Sequence, residues 1–170
     1  MLRGETINMS KQNSHEELMQ GAPNSHVLAA IQNMVKNPGI SEFNPLFIYG
    51  GDGKAHLMQA IGNELHENNP HLSICHLSAE TFLNEYVEAL KNKQIASFRQ
   101  KYRSVDVLMI DDIHFLQNNM RFQEEFFNTF DVLLCENKQI VLTSNEAPQN
   151  LPLIVERLAS RLASGMVLGI

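Results

Sequence analysis

A glycine-rich turn running into a lysine, and a pair of aspartates closing an apolar run, are the residues of this chain whose types and spacing could do chemistry. The first stretch reads Pro45-Leu46-Phe47-Ile48-Tyr49-Gly50-Gly51-Asp52-Gly53-Lys54-Ala55-His56, the second Val107-Leu108-Met109-Ile110-Asp111-Asp112. Backbone N–H groups at the start of a helix can surround a polyphosphate. A lysine ammonium can reach its β- and γ-phosphates, and a Ser or Thr hydroxyl next to that lysine can help hold Mg²⁺. An acid at the end of a buried strand can hold the Mg²⁺ shell while a second acid orients an attacking water. Gly50, Gly51, Gly53 and Lys54 are therefore the candidate ATP-binding residues, and Asp111 is the candidate Mg²⁺ residue, acting through water.

The spacing departs from that chemistry. The full phosphate-loop pattern, G-x-x-x-x-G-K-[ST], places five residues between its first glycine and its lysine, whereas Gly51, Asp52 and Gly53 alone separate Gly50 from Lys54. Two missing residues remove about 7 Å of contour and two N–H donors. Ala55 stands where the hydroxyl belongs, and a methyl group cannot ligate Mg²⁺. Two readings stay open for the turn: a shortened phosphate loop, or a strand-to-helix turn that binds nothing. Asp111-Asp112 likewise reads either as an acidic strand end or as capping and turn chemistry. Thr143-Ser144-Asn145 closes the following strand, where a polar group could sense a γ-phosphate or simply make a turn.

The elements that must position these groups follow from hydrophobic period. Apolar runs at 45–49, 73–77, 106–110, 139–143 and 166–170 alternate with helical periods at 54–67, 79–92, 94–102, 121–135 and 152–163, the pattern of a parallel sheet with crossover helices. Val107–Ile110 and Ile140–Leu142 are apolar at every position, which requires burial on both faces. An amphipathic helix precedes them, capped by Asn24 or Ser25, carrying Val27, Leu28, Ile31 and Val35 and stopped by Asn37-Pro38-Gly39. The expected fold is a three-layer α/β core with five parallel strands over residues 18–170, behind a disordered or linker arm at 1–17, and a P-loop nucleotide-binding core where the glycine turn is read as a phosphate loop. The chain stops just after or inside the fifth strand, so a helical lid or a C-terminal DNA-binding domain is expected to be lacking from it. Brändén's rule puts ligands at strand carboxyl ends, where all three polar groups fall.

Bulk properties narrow the function. A chain of 170 residues with 44% hydrophobic content supports one domain with a real core. Its net charge of −6 argues against a generic nucleic-acid coat without excluding a local basic stripe. Cys75 and Cys135 lack metal or disulfide spacing and read as buried and reduced. No apolar run approaches the ~18 residues of a membrane span and the N-terminus has no signal-peptide character, so a cytoplasmic protein is expected.

On these residues the chain resembles the AAA+ module of the DnaA family of bacterial replication initiators. The resemblance is carried by Asn44-Pro45-Leu46-Phe47-Ile48-Tyr49-Gly50-Gly51, Tyr102-Arg103-Ser104-Val105-Asp106, Ile110-Asp111-Asp112-Ile113, Gln123-Glu124-Glu125-Phe126-Phe127-Asn128-Thr129-Phe130 and Leu142-Thr143-Ser144, in the family's order. It implies an ATP-switched module that assembles with itself or a full-length initiator on single- and double-stranded origin DNA, helps melt it and leads to loading of the replicative helicase. Lys54 would then be the phosphate lysine, Asp111 the Mg²⁺ acid and Asp112 its catalytic neighbour. Asn145 falls at the first sensor position, where the family usually has Asp. Arg161 falls where an arginine finger reaches a neighbouring subunit's ATP, with Arg157 one turn earlier; apart from the resemblance, the two arginines read as an i,i+4 pair on a solvated helix face. Val87 and Arg121 fall on positions that touch single-stranded DNA, while Asn119 and Glu88 replace basic residues there.

The departures from the family define the competing functions. The loop lacks a step before Lys54, Ala55 replaces Thr, Leu162-Ala163-Ser164-Gly165 replaces an aromatic-rich run, and the linker aromatics are missing around residues 16–19. An initiator core with impaired ATP binding and hydrolysis is the first expectation. A nucleotide-independent paralogue that regulates a true initiator is the alternative. A helicase-loader relative would share the core but not the 102–106 and 123–130 runs.

Overall fold

The computed structural model describes residues 25–170. Strands β1 (Leu46–Tyr49), β2 (Ile74–Ser78), β3 (Val107–Asp111), β4 (Gln139–Ser144) and β5 (Met166–Gly169) form one parallel sheet in the order β2-β3-β4-β1-β5. The helices are α1 (Ser25–Lys36), α2 (Lys54–Asn68), α3 (Ala79–Lys91), α4 (Ile95–Arg103), α5 (Met120–Cys135) and α6 (Glu156–Leu162). The polar arm at 1–17, the domain start at 18, Asn24 and the linker positions around 16–19 lie outside the described residues.

The period of two along each strand sorts the core into two layers. Leu46, Ile48, Val107, Met109 and Val141 pack under α1 and α2, while Phe47, Leu108, Ile110, Ile140 and Leu142 pack under α3, α4, α5 and α6. Every residue of β4 is buried, as are the first four of β3, which is why those strands carry no polar alternation. The edge strand β2 is half-buried throughout. Phe82 of α3 gathers Phe98, Tyr102 and Phe122 at ring separations of 5.1, 4.7 and 5.4 Å. The buried Glu125 of α5 then ties α4 to α5, accepting two hydrogen bonds from Arg99 at 3.0 and 2.9 Å and one from Arg103 at 3.2 Å.

Polar side chains lock the amino-terminal ends of the strands. The buried amide of Gln139 accepts from Gly39 N and donates to Phe43 O, both at 2.8 Å. Asn44 bridges to β4 by donating to Lys138 O at 2.7 Å and accepting from Ile140 N at 2.9 Å. Asp106 accepts from Lys138 Nζ at 2.6 Å and from the backbone and hydroxyl of Ser73, and these bonds hold its carboxyl down at about 2. The Lys138 ammonium is raised in turn by Asp106.

Three single-turn 3-10 helices, Ser41–Phe43, Ile113–Leu116 and Pro148–Asn150, were not foreseen from the sequence. The last helix starts at Glu156 rather than at 152. Leu153 adopts φ 58 and Val155 lies in extended backbone at φ −63, ψ 140, so Pro152 opens a turn and not a helix. The cysteines also need correction: Cys75 is half-buried and Cys135, the last residue of α5, is exposed because the end of that helix faces solvent. Burial pushes the Cys75 thiol pKa up.

Candidate nucleotide-binding site

Parallel register brings the chemistry-bearing residues to one edge. Ser78 pairs with Asp111 and Tyr49 with Ser144, so the turn after β1, the acids after β3 and Asn145 after β4 all leave the sheet at its carboxyl end. That edge is the expected ligand position for an open α/β sheet.

In the turn after β1, Gly50 has φ 113 and Gly53 has φ 96, a region that L side chains rarely adopt. A Cβ on Gly50 would also collide with the Ile170 carbonyl oxygen, whereas Gly53 faces open space. The Gly50 N–H donates to Ser144 O at 3.3 Å and the Gly51 N–H to Ile170 O at 3.1 Å. Both donors thus extend the sheet onto β4 and past β5. Lys54 folds back over the same turn, its Nζ donating to Gly50 O at 2.7 Å and to Gly51 O at 2.9 Å. The first-turn N–H groups of α2 are the anion-facing donors that remain, since Gly53 supplies no side-chain cap. The exposed Asp52 carboxylate stands immediately before that helix start, where it competes with any phosphate for the positive end of the helix dipole.

Asp111 ends β3 on the face covered by α1 and α2. Its Oδ1 accepts from Thr143 Oγ1 at 2.9 Å, and Thr143 in turn accepts from Asp112 N at 3.0 Å. Its Oδ2 lies 2.7 Å from His76 Nε2, the ring N–H donating to the carboxylate. Asp112 takes a left-handed backbone, φ 58 and ψ 51, to turn the chain into the 3-10 helix Ile113–Leu116. Asn145 is exposed in the turn after β4.

The residues fit a nucleotide and Mg²⁺ incompletely. Asp111 already has a protein donor on each oxygen, Ala55 offers no hydroxyl, and the two glycine N–H groups that open the loop serve the sheet. An octahedral Mg²⁺ needs oxygen ligands or waters in near-ideal positions. No hydroxyl from the turn is present to supply one.

Arg161 lies on α6, where its guanidinium is 3.0 Å from Asp131 of α5. Arg157 stacks over the Phe127 ring at 4.1 Å. The buried α5 amide Gln123 donates to Leu116 O at 2.9 Å and Leu153 O at 2.8 Å and accepts from Val155 N at 3.0 Å. It thereby joins the segment after Asp111-Asp112 to the start of the arginine helix. Val87 and Arg121 are exposed on α3 and α5, and their neighbours Tyr86 and Phe122 stack at 5.8 Å. Asn119 caps α5, accepting from Phe122 N at 3.0 Å.

Sequence reasoning missed His76, Thr143 as a partner of Asp111, and Gln123. A polar residue inside the otherwise apolar β2 run was the available signal for His76. The other two act through groups that become neighbours only in the folded sheet.

The sheet order, the helix layers and the loop-plus-acid edge define an α/β core of the AAA+ P-loop class. The sequence profile described as "Bacterial DnaA ATPAse domain" matches residues 9–169, and the chain belongs to that family. It is 46% identical over 155 residues to the chromosomal replication initiator protein DnaA of Rickettsia massiliae, covering 89% of this chain and 34% of that protein. The DnaA of Geotalea uraniireducens is 44% identical over 164 residues, covering 95% and 36%. The chain therefore spans about a third of the length of these relatives. Among solved structures, domain III of the Thermotoga maritima replication initiation protein DnaA superposes with a TM-score of 0.86 at 40% identity, covering 94% of this chain and 67% of that one. AMPPCP-bound DnaA from Aquifex aeolicus superposes with a TM-score of 0.80 at 40% identity, covering 86% and 46%. A helicase loader, DnaC, shares the fold at 17% identity. None of the described helices is long and apolar enough to cross a membrane.

Proposed function

We propose that the chain is a DnaA-type initiator core which assembles with initiator subunits on origin DNA while binding ATP and Mg²⁺ weakly and hydrolysing it poorly. One observation carries the impairment: Gly50 and Gly51 donate their N–H groups to strand carbonyls, and Lys54 is closed onto the carbonyls of the same two residues. In this reading Lys54 and the first turn of α2 are what remains for a phosphate. Asp111, Asp112 and Asn145 keep their family positions without a complete Mg²⁺ shell. The DNA partner is supported by a relative, a replication initiator DnaA bound to AMPPCP and single-stranded DNA. Val87 and Arg121 form the small DNA-facing patch, and the work is done in the cytoplasm, where origin DNA is. Contact with the replicative helicase is part of the same proposal, supported by the fold shared with helicase loaders.

The exposure of Arg161 favours a second reading, in which the chain acts chiefly on a partner initiator's nucleotide and needs none of its own. Titration with a fluorescent ATP analogue and Mg²⁺ tests the site. The expected result is no saturation in the micromolar range and little or no turnover; micromolar binding with measurable phosphate release overturns the proposal. Binding without turnover favours the first reading, and no binding up to millimolar nucleotide favours the second.

A further inference from the structure

Helix α5 meets the segment around α6 at three points four residues apart. Gln123 holds Leu153 and Val155, Phe127 lies under Arg157, and Asp131 faces Arg161. Residues at i, i+4 and i+8 share one helical stripe, and Arg157 and Arg161 are one turn apart on α6, so two matched stripes meet. The last contact differs from the others. Arg161 and Asp131 are at ion-pair distance, 3.0 Å, but Asp131 Oδ1, buried although the two side chains are 47% and 37% exposed, makes no aligned hydrogen bond. On the same helix, Glu125 is 4% exposed and grips Arg99 through two hydrogen bonds. One arginine is fixed and the other is held loosely.

We infer that Asp131 is a specificity-determining residue for Arg161: it keeps the guanidinium inside the chain as a counter-ion and releases it only to a more highly charged anion, a polyphosphate presented by a neighbouring subunit. This rests on the reading that Arg161 acts on a partner's nucleotide. Exchanging one carboxylate for another singly charged anion gains little, because the charge is unchanged and a free anion gives up translational freedom and hydration that the tethered Asp131 does not. Exchange for a triphosphate gains, since several negative charges and acceptor oxygens then face the guanidinium fork. A misaligned, half-exposed pair is weak enough for that exchange to proceed.

The test measures association of the 170-residue chain with Aquifex aeolicus DnaA carrying AMPPCP, by fluorescence anisotropy, for the unaltered chain, Asp131→Asn, Arg161→Ala and the double variant. Asp131→Asn should tighten association about two- to fivefold. The gain should vanish in the Arg161→Ala background. Association of Asp131→Asn should also become more sensitive to acetate replacing chloride at constant ionic strength, because the carboxylate that kept singly charged anions away is gone. If Arg161→Ala weakens association while Asp131→Asn matches the unaltered chain, the role of Asp131 is refuted and the reading for Arg161 stands. If Arg161→Ala changes nothing, or no association occurs, the reading for Arg161 falls and the inference with it. Exchange of the Arg161 Nη2–H protons by NMR, expected to accelerate in Asp131→Asn, reports on the pair if that variant alters stability.

Discussion

Replacing Gln123 by alanine should loosen the start of α6 and lower stability by about 3 kcal/mol. The side chain satisfies three backbone groups: Leu116 O within the core, and Leu153 O and Val155 N at its margin. A net hydrogen bond is worth about 1 kcal/mol, and a fully buried group left unpaired costs about 1–3 kcal/mol. Leu116 O is the group water reaches least, so it accounts for about half of the total. The two marginal groups can recover water, and Leu153, held at φ 58, is free to relax to negative φ, which offsets part of the loss. For a domain of this size 3 kcal/mol lowers the melting temperature by about 6–12 °C. Thermal unfolding gives that number, and hydrogen exchange shows where it arises, because Val155 N–H should lose protection well before the N–H groups of β3 and β4. Gln123→Glu keeps the acceptor for Val155 but points a carboxylate at two carbonyls, and should be at least as damaging. A loss below about 1 kcal/mol with unchanged protection at Val155 would falsify the claim that this amide fixes the arginine helix.

Four further outcomes are expected. Glu125→Ala leaves Arg99 and Arg103 without their shared carboxylate; both guanidinium groups can rehydrate, so denaturant titration should show a loss of about 2 kcal/mol rather than the larger cost of a fully buried pair. Asp106 has its carboxyl lowered to about 2, so its contribution is complete above the ordinary carboxylate range and is lost as pH falls toward 2. Asp106→Asn should flatten the acid limb of the stability curve by no more than about 1 kcal/mol after solvent screening, with no change in slope above pH 5. On the proposed weak binding, inserting two residues before Lys54 together with Ala55→Thr should raise affinity for the ATP analogue, and unchanged affinity would refute the proposal that the short loop limits binding. Arg121→Ala should weaken single-stranded DNA binding in gel shifts and reduce the salt slope by about 0.7; an unaltered slope removes Arg121 from the interface.

Much of the scaffold was legible in the residues because it is written in local pattern. The five apolar runs and the helices from α2 to α5 lie within a residue of their sequence-derived positions, since burial on both faces leaves strands such as β3 and β4 no polar alternation to confuse. The beginning of α6 was not legible. Pro152-Leu153-Ile154 has the apolar look of a first helical turn, and a side chain about thirty residues upstream holds it as a bend. The site divides the same way. The shortened glycine turn and Ala55 are visible by counting, but the destinations of the Gly50 and Gly51 N–H groups depend on carbonyls of Ser144 and Ile170, far along the chain. Likewise nothing beside Asp111 announces that His76 and Thr143 will take its two oxygens.

The clasps made by Gln139, Asn44 and Asp106 sit at the opposite rim of the sheet from the glycine turn. Segregating anchorage from chemistry in this way lets one rim drift without loosening the other. A lineage could shorten, lengthen or rewire the phosphate end by small deletions and still inherit a foldable platform, so loss of a nucleotide and retention of partner recognition become separable evolutionary steps.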